Sequence, residues 1–164
     1  MTTVDAGPLD PALFRGLFRK HAAGVAVITA AAERPVGFTA TSLVALSLEP
    51  PLLSFNLSRT SSSWPAIERA DHVAVHLLAE HQEQVAATFA RSGADRFGPG
   101  TAWDFGPYGT PVLRDVLAWM VCRLETRVLA ADHAVVIGEV VAAGSHPAHR
   151  PLVYHDGGFT RLSP

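Results

Sequence analysis

The sequence predicts a mainly β fold: an antiparallel barrel or sandwich with a few short helices added. Three observations lead there. Short apolar, β-branched segments recur along the chain without the regularly interleaved crossover helices that a parallel sheet needs. The second half is extended in character, with long valine-rich stretches over residues 116–128 and 133–143. No dinucleotide fingerprint joins a strand to a helix, because the nearest approach, Gly98-Pro99-Gly100, lacks a third glycine and neither follows a strand nor opens a helix.

Taken in order, residues 10–20 form the first periodic segment. Asp10 suits an N-cap and Pro11 the first helical position, and Leu13, Phe14, Leu17 and Phe18 recur at helical spacing, which predicts a short amphipathic helix. Residues 24–30, with Gly24 before them and Glu33-Arg34-Pro35 after, read as a buried strand turning into a second over 36–42. Glu49-Pro50-Pro51 interrupts the pattern. Residues 52–57 then read as a strand, and Ser61-Ser62-Ser63 with Pro65 as the start of a helix running to about Arg69. A strand over 72–78 and a helix over 80–91 follow. Residues 92–111 hold five of the thirteen glycines and three prolines, so they form a loop. Near the end, 152–154 and 159–162 flank Asp156-Gly157-Gly158, a hairpin-turn signal. The expectation is six or more strands and about three short helices in one domain, 1–164, with residues 1–10 as a flexible N-terminus.

Composition narrows the function classes. At 164 residues and 48% hydrophobic content the chain can bury a substantial core, while a net charge of −2 gives no electrostatic footprint for nucleic acid or an anionic membrane. Apolar runs stay well below the roughly 18 residues of a spanning helix. Residues 1–10 have neither the basic residues nor the apolar run of a signal peptide, and Cys122 has no internal partner, so a soluble cytoplasmic protein is expected. There is also no P-loop and no Gly-x-Ser-x-Gly elbow.

Six blocks in order carry a resemblance. They are Gly24-Val25-Ala26-Val27-Ile28-Thr29; Gly37-Phe38-Thr39-Ala40-Thr41-Ser42; Ser47-Leu48-Glu49-Pro50-Pro51-Leu52; Ala87-Thr88-Phe89-Ala90 with Asp95-Arg96-Phe97; Asp132-His133 before Gly138-Glu139-Val140; and Pro151-Leu152-Val153-Tyr154. Over residues 21–162 the chain resembles the flavin reductase family of FMN-binding split barrels. The resemblance implies a six-stranded antiparallel Greek-key barrel, usually a homodimer, acting as an NAD(P)H:flavin oxidoreductase. FMN or FAD would be the flavin and NADH or NADPH the co-substrate, with reduced flavin supplied to a separate monooxygenase. Two alternatives stay open: a split-barrel enzyme that keeps its FMN and acts on another substrate, and a non-enzymatic flavin-binding dimer.

The resemblance also implies a set of site residues. Thr39, Ala40, Thr41 and Ser42 would run along the flavin, and Asn56, Ser58, Ser61 and Ser62 would hold its phosphate end. Serine hydroxyls and a helix start favour a phosphate on independent grounds, although the same serines could simply cap the helix. Ser47, Phe89, Arg96 and Phe97 would line the site, Asp95-Arg96 being otherwise a solvated pair. His133 would sit by the nicotinamide as the catalytic residue, or else merely order a turn. Two positions depart from the family pattern: Thr41 where asparagine is frequent, and Ala131 where glycine is, an added methyl being awkward if that backbone is left-handed. No metal is expected. His72 and His76 share a strand face and His146, His149 and His155 crowd one segment, but no cysteine or paired carboxylate completes a zinc set. Cys122 and the tryptophans, Trp64, Trp103 and Trp119, read as packing residues.

Overall fold

The computed structural model describes residues 7–163, so the first six residues of the expected flexible N-terminus lie outside the described residues. The Asp10 carboxylate accepts a hydrogen bond from the Ala12 N–H at 2.9 Å and caps α1 (Pro11–Arg19), as its sequence predicts. No residue of α1 is buried.

After β1 (Ala23–Gly24) comes β2 (Ala26–Ala30), which is buried at every position. Ala26, Ile28 and Ala30 face the main core while Val27 joins a second cluster. Both faces being covered, the strand reads as a continuous apolar run instead of an alternation. It pairs with β3 (Val36–Ala40) on one side. The chain continues through β4 (Val44–Leu48), β5 (Pro51–Ser58), α2 (Trp64–Arg69), β6 (His72–Leu77) and α3 (Glu83–Ala90). A small hairpin of β7 (Trp103–Phe105) and β8 (Pro111–Leu113) follows, then the long β9 (Ala118–Ala130) and β10 (His133–Ser145), and finally β11 (Leu152–His155) and β12 (Gly158–Arg161).

Among the described residues seven strands form one antiparallel sheet in the order β3-β2-β6-β9-β10-β5-β4, flanked by a three-stranded sheet, β1-β11-β12. The long sheet curls until β3 faces β5. There the two strands touch without a ladder: Phe38 and Phe55 pack with ring centroids 6.0 Å apart, and Ser42 Oγ accepts from the Asn56 N–H at 2.9 Å. This unladdered seam is the split of the barrel.

The interior is filled by Ile28, Phe38, Leu53, Phe55, Trp64, Ile67, Val73, Val75, Cys122 and Val136. Cys122 is buried there and burial pushes its thiol up to about 12, in keeping with a packing role. Three details differ from the sequence reading. β4 is an additional edge strand beside the six of the expected barrel. The loop expected at 92–111 holds β7 and runs into β8, the two forming a hairpin. α3 starts at Glu83 and not at residue 80, because Gln82 folds back to accept from the Ala79 N–H at 3.0 Å and donates to the Arg114 carbonyl at 3.0 Å.

Candidate active site at the barrel seam

A groove of about 470 Å³ opens along the seam. Its walls are the end of β3 and the residues after it (Phe38 to Ser42), the end of β5 (Asn56 to Ser58), and Ser61, Phe89, Ala90, Arg96 and His133. Of the expected residues, Thr39, Ala40, Thr41, Ser42, Asn56, Ser58, Ser61, Phe89, Arg96 and His133 therefore meet at one place. Three do not line it. Ser47 lies on β4, beyond the seam. Ser62 and Phe97 line a neighbouring hollow with Arg34, Ser63 and Asp95. Phe97 instead supports the groove from behind, edge-on to Phe89 with centroids 5.3 Å apart. Phe38, Leu57 and Ala90 line the groove without having been expected there.

His133 owes its place to register. It is the first residue of β10 and pairs across the sheet with Ser58, the last residue of β5. A two-residue turn, Ala131-Asp132, joins β9 to β10, and the Arg59 N–H donates to the Asp132 carbonyl at 2.8 Å to fix it. Ala131 is left-handed, with φ of 52°, the conformation in which its methyl is strained and glycine is at ease. His133 Nδ1 lies 2.9 Å from Asp132 Oδ1. That hydrogen bond holds the Asp132 carboxyl below the ordinary carboxylate range. With Nδ1–H so engaged, Nε2 is left for a ligand.

Arg96, also on the groove wall, is anchored by carbonyls. Nη1 donates to Gly37 O at 2.8 Å and Nη2 to Arg91 O at 3.1 Å. Nε is buried without a partner, and the guanidinium has no carboxylate within ion-pair distance among the described residues. Partial burial lowers its pKa from the ordinary value, which still leaves a fixed cation. This answers the alternative of a solvated Asp95-Arg96 pair. Gly37 is also the acceptor for Ser63 Oγ at 3.1 Å, so the N-cap residue of α2 turns away from its helix and makes no cap bond. Ser61 Oγ accepts from the Ser63 N–H at 3.2 Å, and Ser58 and Thr60 hydroxyls lie 2.9 Å apart. As α2 has only six residues, the anion-binding capacity of this region rests on Arg96 and the hydroxyls and not on the helix start.

The histidines outside the groove have other roles. His76 is buried, with Nδ1 donating to Val27 O at 2.9 Å and Nε2 accepting from the Leu113 N–H at 3.1 Å. His72 stacks on Tyr108 at 4.0 Å, and His146 stacks on His149 at 3.9 Å. Among the described residues no three histidine, cysteine or acidic side chains are arranged to hold a metal ion.

The chain is thus an antiparallel barrel with a groove of about 470 Å³ along its unladdered seam. Residues 18–163 match the family model described as a flavin reductase like domain, and the chain belongs to that family. It is 42% identical over 156 residues to an NADH:FMN oxidoreductase of Rhodococcus erythropolis, covering 92% of this chain and 81% of that one. It is 39% identical over 162 residues to the reductase subunit HsaB of a flavin-dependent monooxygenase of Rhodococcus jostii (strain RHA1), covering 98% and 83%. The crystal structure of a flavin reductase domain protein from Arthrobacter sp. FB24 superposes with a TM-score of 0.88 at 42% identity, covering 93% of this chain and 96% of that one.

Proposed function

We propose that this chain is an NADH-dependent flavin reductase, one domain that binds FMN or FAD in the seam groove and supplies reduced flavin to a partner monooxygenase. The observation that carries this reading is the convergence of ten expected residues, Arg96 and His133 among them, on one groove. The relatives named above, one an NADH:FMN oxidoreductase and one a monooxygenase reductase subunit, support the same reading.

The residues fit the group. FMN presents a phosphate, a hydroxylated chain and a flat ring, and about 470 Å³ is within the range of ligand sites. Arg96, with its unpartnered Nε, and the hydroxyls of Ser58 and Ser61 suit the phosphate end. Residues 39–42 would run along the flavin, with Asn56 toward its phosphate end and Phe89 as an apolar wall. A bound flavin supplies the hydride acceptor. The chain's own work is then orientation: Asp132 fixes the His133 ring, and His133 Nε2 holds the nicotinamide in line, with no proton needed from a side chain. Thr41, Asn56 and His133 are exposed, so the ring edge stays reachable by NADH and the product can leave.

The same reading includes a homodimer formed through β4, an edge strand on which Val44, Leu46 and Leu48 are exposed, Leu48 at 87%. It also includes a cytoplasmic location, where NADH is at hand. Among the described residues no helix is long and apolar enough to cross a membrane.

The test is a steady-state assay crossing NADH and NADPH with FMN, FAD and riboflavin at catalytic protein concentration. Many turnovers of free flavin with NADH are expected. Nicotinamide oxidation no faster than the protein-free control would refute the proposal.

A further inference from the structure

Away from the seam groove, three histidine rings meet. His146 stacks on His149 with centroids 3.9 Å apart and planes 13° from parallel, and His81 meets the same ring edge-on at 4.9 Å. They come from two stretches of chain: His81 lies between β6 and α3, while His146 and His149 lie in the connection from β10 to β11. Nε2 of His149 is buried and has no hydrogen-bond partner among the described residues. Neutral imidazoles stack without penalty, but a proton on any of the three sets a positive charge that opposes a second on its neighbours.

The charged groups around the cluster do little to offset that charge. Asp115, on the turn between β8 and β9, is the carboxylate that acts on His149, and Glu80 flanks His81, yet among the described residues neither forms an ion pair with any of the three histidines. Arg114 is held by Asp104 of β7. Arg150 gives its Nη2 to the Leu162 and Ser163 carbonyls. Burial, followed by His146 and His81, accordingly holds the His149 pKa below its ordinary value, with Asp115 opposing in part.

The rings also carry much of the attachment of residues 146–149. At one end the His146 N–H donates to Leu117 O at 2.9 Å, and at the other the Glu80 N–H donates to Arg150 O at 2.8 Å. In between, Pro147 has no N–H to give, and the bond from His149 N–H to His146 O is long, at 3.4 Å. α3, by contrast, is fixed without the rings, because Gln82 binds the Ala79 N–H and the Arg114 carbonyl. Loss of the ring contacts therefore frees the connection and not the helix.

We propose that His81, His146 and His149 form a proton-sensitive latch, closed when the rings are neutral, that releases the β10–β11 connection from the start of α3 on acidification. The sign follows from the lowered pKa of His149: the open segment takes up a proton that the closed one resists. Closure is fully favoured above the ordinary histidine value of 6.5 and weakens as pH falls below it. The latch is independent of what the seam groove binds.

The test is hydrogen exchange resolved by residue in the full chain, expressed as protection relative to an unstructured chain at the same pH. Between about pH 7.5 and about pH 5.5, protection at the His146 and Glu80 amides should fall by up to about tenfold for each proton taken up on opening. His149→Phe keeps a ring that stacks but takes no proton, and should hold protection nearly level over that window. His81→Gln, at an exposed position, should lessen the fall while leaving the stacked pair in place. Amides of β2 report on unfolding of the whole molecule, to which His76 gives a pH dependence of its own, and should keep losing protection with acid in all three proteins. Protection at His146 and Glu80 that is level in the wild type, that falls equally in His149→Phe, or that merely follows β2 in every protein would overturn the latch.

Discussion

Ser61 and Ser62 are neighbours in sequence that line different hollows, and substitution should separate them. Ser61→Ala should weaken FMN relative to riboflavin by about 1–2 kcal/mol, since only FMN carries the phosphate that the hydroxyl would meet. Ser62→Ala should leave both flavins alone. Fluorescence titrations decide it, and equal weakening of FMN and riboflavin by Ser61→Ala would remove that residue from the phosphate end. At Ala131 the sequence offers only a departure from an expected glycine, and the left-handed φ of 52° gives that departure a physical meaning. Ala131→Gly relieves the methyl at the cost of a more flexible unfolded chain, so a net stabilisation of about 0.5 kcal/mol is expected in urea unfolding. A net destabilisation would mean the turn tolerates alanine without strain. Ser62 and Phe97 show what a resemblance leaves out: it marks a segment, while the direction of each side chain depends on local backbone geometry.

Single elements are tied together by His76, which fastens β8 to β2 through the two ring nitrogens. Val27 O can only accept, so Nδ1 carries the proton, and Nε2 must stay bare to accept from Leu113. Burial lowers the pKa from the ordinary 6.5 to about 4, the bond to Val27 opposing this in part. Between those values the unfolded chain binds a proton that the folded chain does not. Stability should therefore be fully present above about pH 6.5 and decline as pH falls toward 4, by roughly 3 kcal/mol. Denaturant midpoints across that window test it, with His76→Gln flattening the slope. A wild-type slope unchanged by His76→Gln would assign the loss to other groups. Most strands were legible because buried apolar runs mark them, β2 above all. β4 was not, although Val44, Leu46 and Leu48 alternate, because their exposed side points to no core and a bulge falls between Ala45 and Ser47. β7 and β8, at three residues each, are too short to show any period.

For the molecule as a whole, exposed apolar side chains on an edge strand call for a covering partner. The Leu46→Lys/Leu48→Lys variant should shift the light-scattering mass from dimer to monomer; a wild type that is monomeric at every concentration would contradict this. The seam groove was largely legible because its walls come from contiguous sequence blocks. A larger cleft beside it was not, since it forms only when residues 15–21, 41–44 and Tyr154 are brought together by the fold. In the proposed reductase the groove presents a flavin to NADH past His133. Anaerobic stopped flow tests this most directly, following flavin absorbance after mixing with NADH for wild type and His133→Ala, beside a flavin titration of each. The prediction is NADH-driven bleaching in the wild type and a reduction rate lowered by about 1–3 kcal/mol of barrier in the variant, with flavin affinity unchanged. Identical reduction kinetics in the two proteins, or no reduction in the wild type, would contradict it.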